Sequence, residues 1–185
     1  MGKKLESSFK NMVLVLFLVT LVSSAAVGVV NSLTSGLIEK VKIEKQVQAI
    51  RAVVPAFDND PMTEKQIVKV DGGELEFYPA KANGQLVGTA IKTFTNNGFG
   101  GLIMVGFTPD GSIYNYSVLS HKETPGLGSK MDTWFVKGAK GDITGKTPGT
   151  QGLQVSKDGG NVDAITAATI SSRAFLDAVN RAAKA

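Results

Sequence analysis

Residues 163–179 read DAITAATISSRAFLDAV, a stretch in which a dense run of hydroxyl groups meets the start of an amphipathic helix. Small or apolar residues separate the four hydroxyl side chains, which are Thr166, Thr169, Ser171 and Ser172. Apolar residues recur at helical spacing, which predicts a closing helix that begins near Thr166 or Thr169. The positions predicted to be buried are Ile170, Ala174, Val179 and Ala182. A helix with one apolar face needs a partner layer, which the preceding chain must supply.

The crowding of hydroxyl groups at this helix start has two explanations. In the first, Thr166 or Thr169 caps the helix by accepting a hydrogen bond from a backbone N–H two or three residues later. In the second, the unpaired N–H groups and partial positive charge of the helix start bind a phosphate, for which Ala167 and Ala168 leave room. A threonine hydroxyl at that place would hydrogen-bond the phosphate or be esterified to it.

Upstream of this helix, short apolar runs alternate with turn signals and predict a mostly antiparallel sheet. The runs IVKV, ELEFYPA and LVGTAIKTFT are separated by an Asp-Gly-Gly triplet and by Asn83-Gly84. A hairpin is predicted for 102–120, because its turn Thr-Pro-Asp-Gly combines a proline-fixed φ with an Asp-Gly pair. After it, the glycine-rich residues 121–152 are predicted to be irregular, and LQVSKDGG at 153–160 to be a further short strand. The fold class is therefore α+β, a sheet with flanking helices.

The front of the chain has the composition of a membrane span. Residues 12–30, MVLVLFLVTLVSSAAVGVV, are 19 residues without a charge, about the length that crosses a hydrocarbon core of roughly 30 Å. A cleaved signal peptide is the weaker alternative, because the helical pattern continues past the small residues and stops only before Pro55. The predicted organisation is a cytoplasmic N-terminus and membrane helix at 1–32, a juxtamembrane helix and linker at 33–60, and an extracytoplasmic domain at 61–185.

The orientation of that span rests on the lysines at its two ends. The lysines on the N-terminal side favour a cytoplasmic N-terminus, and the lysines on the other side reduce the difference in positive charge between the two ends. The first group is Lys3, Lys4 and Lys10, and the second is Lys40, Lys42 and Lys45. We therefore expect a single-pass protein of the cytoplasmic membrane whose C-terminal domain lies on the periplasmic or extracytoplasmic side.

Composition excludes several classes of function. The chain has no cysteine, which rules out disulfides, thiolate-bound iron–sulfur clusters and cysteine zinc sites. His121 is its single histidine, so a multi-histidine metal site is excluded and no metal site is predicted. The net charge of +4 is modest, and basic residues do not interleave with aromatic ones, which argues against nucleic acid as a partner.

The stretch HKETPGLGS at 121–129 is the second candidate for a ligand site. Its alternative is a surface loop with a proline turn, and both interpretations stay open on chemistry alone. Gly126 and Gly128 allow the backbone to approach a ligand closely, and Leu127 between them would lie flat against a planar ring. Glu123 and Thr124 add polar groups at the rim of such a site.

These two stretches together resemble a known family. DAITAATISS matches the flavinylation motif D-x-x-[S/T]-[G/A]-A-T-x-[S/T]-S, and ETPGLG matches that family's other hallmark. The chain is similar over essentially its whole length to the FMN-binding subunits of two related complexes. They are the G subunit of Rnf electron-transport complexes, which it resembles more, and the C subunit of the sodium-pumping NADH:quinone oxidoreductase. Ala167 stands where glycine is commoner in the motif, and Thr166 where serine is commoner.

The resemblance implies a covalent flavoprotein. Thr169 is implied to be the acceptor of a phosphoester bond to FMN, made by a separate flavin transferase that uses FAD and recognises Asp163. The other implied cofactor-binding residues are Glu123, Thr124, Gly126, Leu127, Lys157, Thr166, Ala167 and Ala168. Of these, Lys157 is expected at the polar edge of the isoalloxazine. The implied role is electron relay among the other membrane subunits of an Rnf-type ferredoxin–NAD translocase, without catalysis by this chain alone.

The alternative from another class is a membrane-anchored pilin-like structural protein or binding module without a cofactor. A lone N-terminal membrane helix followed by a β-rich domain fits that description too. Pilin assembly usually relies on an acidic residue inside the apolar segment, and residues 12–30 have none. That absence weakens the alternative and leaves it open.

Overall fold

The computed structural model of the chain describes residues 8–98 and 100–185. The first element is one long helix, α1, which runs over Phe9–Val53. Its 45 residues correspond to a length of about 68 Å at 1.5 Å per residue. Among the described residues it is the one helix that is long and apolar enough to cross a membrane. Residues 1–7, which include Lys3 and Lys4 of the orientation prediction, lie outside the described part of the chain.

Helix α1 ends where the sequence predicts, two residues before Pro55. The chain divides into two compact units, Met1–Glu44 and Lys45–Ala185, so the last residues of α1 belong to the second unit. In that unit Ala49, Ile50 and Val53 are buried. The end of α1 is therefore a structural part of the globular unit.

Five strands form one antiparallel sheet in chain order. They are β1 (Gln66–Val70), β2 (Gly73–Ala82), β3 (Gln85–Phe94), β4 (Leu102–Phe107) and β5 (Ile113–Ser120). The turn between β2 and β3 has Asn83 at φ 52° and Gly84 at φ 77°, as the Asn-Gly signal predicts for a two-residue hairpin. The predicted hairpin at 102–120 is confirmed by the pairing of β4 with β5. The predicted α+β class and antiparallel sheet are likewise confirmed.

Side chains of the sheet alternate between two hydrophobic layers, as the two-residue period of strands requires. On one face, Tyr78, Ala90 and Met104 pack with the end of α1. On the other, Ile103 and Val105 belong to the main core with the C-terminal helix α3, which spans Thr169–Lys184. The sheet is thus covered by helices on both faces, and α3 brings its N-terminal end to the loops that follow β5.

A cluster of three aromatic rings packs α3 against β5 and against the chain after the sheet. Phe175 of α3 stacks on Phe135 with ring centroids 4.3 Å apart and meets the edge of Tyr116 at 4.8 Å. The Tyr116 hydroxyl donates a hydrogen bond to the Met131 carbonyl and accepts one from the Phe135 N–H. Burial raises the pKa of Tyr116, so its hydroxyl stays protonated and able to donate.

The prediction of a strand at 153–160 is wrong. LQVSKDGG is a single parallel bridge between Val155 and Val162 with a 3₁₀ turn at Ser156–Asp158, because Gly159 at φ 85° ends any extended run. Residues 121–152 are irregular over most of their length, as predicted. They contain a 3₁₀ turn at Gly128–Lys130 and a four-residue helix, α2 (Met131–Trp134). The helix α2 begins at Met131, whose side chain is fully buried in the main core.

Candidate functional site

The two stretches that the sequence singles out face one cavity of about 430 Å³. Six of the predicted site residues line it: Glu123, Thr124, Leu127, Ala167, Ala168 and Thr169. Gly128, Ile170 and Ser171 complete the lining. Roughly 40 residues of chain separate the two stretches, so their meeting is a consequence of the tertiary fold. The remaining predicted residues, Gly126, Lys157, Thr166 and Asp163, lie outside this lining.

The amino end of α3 forms one side of the cavity. Ala168 precedes the helix at φ −136° and ψ 47°, and no side chain caps this end. The backbone bond across the boundary runs from the Ser172 N–H to the Ala168 carbonyl at 3.0 Å. The N–H groups of Thr169, Ile170 and Ser171 lie before that first bond and have no such acceptor among residues 8–98 and 100–185. This end of α3 is therefore able to bind an anion.

The capping explanation for the clustered hydroxyls does not fit the structure, since neither Thr166 nor Thr169 caps α3. Ser172 has a different structural role. Its buried hydroxyl accepts a hydrogen bond from the Ile165 N–H at 2.9 Å and donates one to the Ala168 carbonyl at 3.0 Å. One hydroxyl of the run therefore fixes the turn at 165–168, and Thr169 remains half-buried in the wall of the cavity.

The turn that leads into α3 contains a strained residue. Ala167 has φ 62°, in the left-handed region that a side chain with a Cβ enters at a cost of about 1–2 kcal/mol. Glycine, the commoner residue at this position of the motif, avoids that cost. The departure from the motif therefore places backbone strain in this turn.

The ETPGLG loop forms the opposite side of the cavity. A Cβ on Gly128 would lie 2.1 Å from Glu123 Oε2 and 2.7 Å from Ser171 Oγ, so a larger residue would require these two side chains to move. The Gly126 N–H donates to Ser129 Oγ at 2.9 Å, and Gly126 has φ 79°. The sequence predicted that Gly128 lets the backbone approach a ligand. In the structure, Gly128 instead lets the loop pack against α3.

Two exposed apolar side chains border the cavity. Leu127 is 43% exposed, and Ile170 is 70% exposed. The prediction that Ile170 is buried is wrong, whereas Ala174, Val179 and Ala182 are buried as predicted. The buried stripe of α3 starts instead from Ser171 and Ser172, which turns Ile170 away from the core and toward the cavity.

Lys157 reaches the cavity's edge from the 3₁₀ turn at 156–158. Its Nζ lies 3.3 Å from Thr169 Oγ1, within hydrogen-bonding distance. The expectation that Lys157 meets the polar edge of a flavin ring stays a prediction. In the structure its ammonium group lies beside the hydroxyl at the start of α3.

Asp163 lies on the outside of the turn before α3. Its Oδ1 accepts a hydrogen bond from Ser156 Oγ at 2.7 Å, and its carbonyl accepts one from Trp134 Nε1 at 2.8 Å. Asp163 therefore has a structural connection to the turn that carries Lys157. It is also exposed, as a residue read by another protein must be.

A larger cavity, of about 560 Å³, opens on another part of the sheet near Tyr114, Lys137 and Thr144. It contains none of the predicted site residues, and neither end of α1 or α3 lies in its lining. Size alone does not make a site, because binding specificity comes from a few converging polar groups beside apolar walls. The smaller cavity is the candidate site because both of the stretches singled out in the sequence line it.

Comparison with known proteins identifies the family of the chain. Residues 98–184, which include both stretches, match the family described as the FMN-binding domain. The whole chain is 33% identical to the G subunit of the Na(+)-translocating ferredoxin:NAD(+) oxidoreductase complex of Acetobacterium woodii, over 90% of this chain and 86% of that protein. It is 34% identical to the G subunit of the ion-translocating oxidoreductase complex of Aliivibrio fischeri, over 95% of this chain and 89% of that protein.

The corresponding protein of Stutzerimonas stutzeri is 36% identical over 82% of this chain and 69% of that protein. The chain belongs to the family formed by the G subunits of ion-translocating oxidoreductase complexes.

Proposed function

We propose that the protein is the electron-relay subunit of an Rnf-type ferredoxin–NAD translocase, with FMN attached through a phosphoester to Thr169. The observation that carries the proposal is the cavity between ETPGLG and the start of α3, with the Thr169 hydroxyl in its wall. Family membership supports the electron-transfer role and FMN as the cofactor. The covalent link to Thr169 rests on the motif and on the geometry of the site.

The cavity fits the ring system of a flavin in size and in chemistry. A volume of about 430 Å³ lies within the range of roughly 300–1,000 Å³ that small-molecule sites occupy. Leu127 and Ile170 supply apolar surface for the flat faces of the ring, and Glu123 and Thr124 supply polar groups at the rim. Bound FMN supplies one- and two-electron redox chemistry, and the residues of this chain supply its position and electrostatics.

The start of α3 fits the phosphate. Unpaired backbone N–H groups and the helix dipole attract the negatively charged phosphodiester, and the Lys157 ammonium adds a full positive charge beside Thr169. Ala167 and Ala168 keep side-chain bulk away from the approach to the hydroxyl. Asp163 and Thr166 are exposed on the adjacent turn, where a flavin transferase would recognise them.

A covalent tether matters for a domain outside the cytoplasm. It keeps the cofactor bound at any concentration of free flavin, so the relay does not depend on a supply of FMN. Helix α1 would anchor the chain among the other membrane subunits through its apolar residues 12–30. We place residues 1–32 at and in the membrane, 33–60 as the connection, and 61–185 on the extracytoplasmic side.

The proposal is tested by expressing the full chain with a matching flavin transferase and denaturing it in SDS. Yellow fluorescence is expected to migrate with the polypeptide, and the intact mass to rise by one FMN less one water. Thr169→Ala should abolish the gain, and Thr169→Ser should retain it because a hydroxyl remains. Thr150→Ala is the matched control, since it removes an exposed threonine hydroxyl away from the cavity and should still allow attachment.

Two results would contradict the proposal. A flavin retained by the Thr169→Ala protein would place the link elsewhere. A wild-type chain that stays colourless in its native membrane, with Thr169 unmodified, would favour the cofactor-free anchored module instead. Thermal unfolding of each variant controls for folding, and little change is expected because Thr169 makes no capping bond.

A further inference from the structure

Lys157 is held in its position by anchors on both neighbouring residues. The 3₁₀ turn Ser156–Asp158 has Lys157 at its centre and Gly159, at φ 85°, at its end. A lysine side chain on an exposed turn normally samples many rotamers and directions. Anchors on each side restrict where the lysine backbone can point, so they decide which group its ammonium reaches.

The first anchor is Ser156. Its N–H donates to the Val162 carbonyl at 2.8 Å, and its hydroxyl lies 3.0 Å from the same carbonyl. The hydroxyl also lies 2.7 Å from Asp163 Oδ1, to which it can donate. These contacts fasten the start of the turn to the segment that leads into the Thr169 motif.

The second anchor is an ion pair between Asp158 and Arg173. Arg173 Nε donates to Asp158 Oδ2 at 2.7 Å, and the terminal nitrogen Nη2 donates to Oδ1 at 2.6 Å. Such a two-bond pair fixes the orientation of both groups. Hydrogen bonding to Arg173 lowers the pKa of Asp158, which keeps the pair ionised. Because Arg173 follows Thr169 by four residues, the pair ties the turn to the same side of α3.

The pair is on the surface, with side-chain exposures of 51% for Arg173 and 36% for Asp158. Exposed ion pairs contribute little to the free energy of unfolding. The geometry of this pair is nevertheless specific. Asp158 is the residue directly after Lys157, whose Nζ lies 3.3 Å from Thr169 Oγ1. Its effect is therefore on position rather than on stability.

We propose that Lys157 assists the transfer of the phosphoryl group to Thr169, and that the Asp158–Arg173 pair is a positioning device for Lys157. This inference rests on the proposed function and assigns Lys157 to the phosphoryl end of the site, not to the edge of the ring. Asp158 and Arg173 act only through Lys157, since neither lines the cavity.

The step is a phosphoryl transfer without a change of oxidation state. The Thr169 oxygen attacks the phosphorus that bears the flavin in FAD, and the new Oγ–P bond forms as the P–O bond to AMP breaks. The hydroxyl proton passes to a base of the transferase. Lys157 donates a hydrogen bond toward Thr169 Oγ1, which stabilises negative charge as it develops on the oxygens of the reacting group.

The test uses the full-length chain in detergent with purified flavin transferase and FAD, and follows the gain in mass with time. Lys157→Met, which keeps length and removes charge, is expected to lower the maximal rate about tenfold or more, as the loss of one charge-assisted interaction implies. The KM for the protein substrate should be unchanged. Lys157→Arg should restore part of the rate. Lys184→Met is the matched control at the far end of α3.

The positioning role is tested at the ion pair. Arg173→Gln and Asp158→Asn should each slow attachment severalfold without changing the thermal midpoint. The exchanged double variant Asp158→Arg with Arg173→Asp should recover rate by re-forming the pair. Recovery of the attachment rate would show that the single variants are slow because Lys157 is misplaced, and not because a charge has been removed.

The midpoint potential of the loaded flavin decides between the two locations of Lys157. We expect the loaded Lys157→Met protein to keep the wild-type potential, because the ammonium is at the phosphoryl end. A wild-type attachment rate in this variant, or a shifted potential without a slower rate, would overturn the inference. Failure of the wild-type chain to acquire any flavin would instead overturn the proposed function.

Discussion

Replacing Ala167 by glycine is expected to stabilise the protein, although most alanine-to-glycine changes do the opposite. Ala167 has φ 62° and is exposed, so the change relieves backbone strain and removes almost no packing. A left-handed conformation costs a residue with a Cβ about 1–2 kcal/mol. The greater conformational entropy of glycine in the unfolded chain offsets about 0.4–1 kcal/mol of this gain in stability. The expected net gain in the free energy of unfolding is about 0.5–1 kcal/mol.

The assay is thermal unfolding of the full chain in detergent, followed by the near-ultraviolet signal of the aromatic residues in the globular unit. For a unit of this size, the gain corresponds to a midpoint about 1–4 °C higher. Ala183→Gly is the matched control, since Ala183 is exposed in the last turn of α3 and has helical geometry. There the same substitution should lower stability, by up to about 1 kcal/mol.

A lower midpoint for Ala167→Gly would refute the reasoning, because it would mean that the left-handed turn stores no significant strain. Ala167→Val extends the comparison in the other direction, since a β-branched residue tolerates a positive φ less well than alanine. Its midpoint should fall below that of the wild type. The three residues at position 167 should therefore rank Gly above Ala above Val.

Three further predictions concern other parts of the globular unit. Ser172→Ala should cost about 1–3 kcal/mol in urea unfolding, because it leaves the Ile165 N–H without its acceptor; an unchanged midpoint would contradict this role. Burial acts to raise the pKa of Glu76, but its hydrogen bonds with Lys92 and Tyr78 and the positive charges of Lys92 and Lys65 together outweigh burial, so the pKa is lowered. Stability from Glu76 is therefore present above about pH 5 and lost as pH falls further, and Glu76→Gln should make the urea midpoint less sensitive to acid between pH 6 and pH 3. Ile170→Ala should leave the thermal midpoint nearly unchanged, since the side chain is 70% exposed, yet alter the fluorescence of attached flavin; an identical spectrum would show that Ile170 does not border the ring.

Local signals in the sequence determined much of the architecture. Pro55 ends α1, Asn83-Gly84 makes the turn between β2 and β3, and the proline-containing turn joins β4 to β5. Each of these outcomes depends on backbone preferences of a few adjacent residues. The start of α3 at Thr169 and the identity of the two motifs were readable for the same reason.

The tertiary structure decided what those motifs do together. Ile170 is exposed because the core contacts of Ser171, Ser172 and Phe175 set the rotation of α3, which an apolar pattern alone did not predict. The strand predicted at 153–160 is replaced by a 3₁₀ turn, and that turn brings Lys157 to Thr169.

Sequence by itself therefore determined the class of fold, the apolar helix and the residue types available for binding a flavin nucleotide. Only the packed structure decided that the loop after β5 and the start of α3 share one cavity, and which cation lies beside which hydroxyl. The physical reason is the sequence distance over which each feature is determined. Turns and helix ends depend on the backbone preferences of neighbouring residues. The meeting of segments about 40 residues apart depends on the burial of many side chains at once.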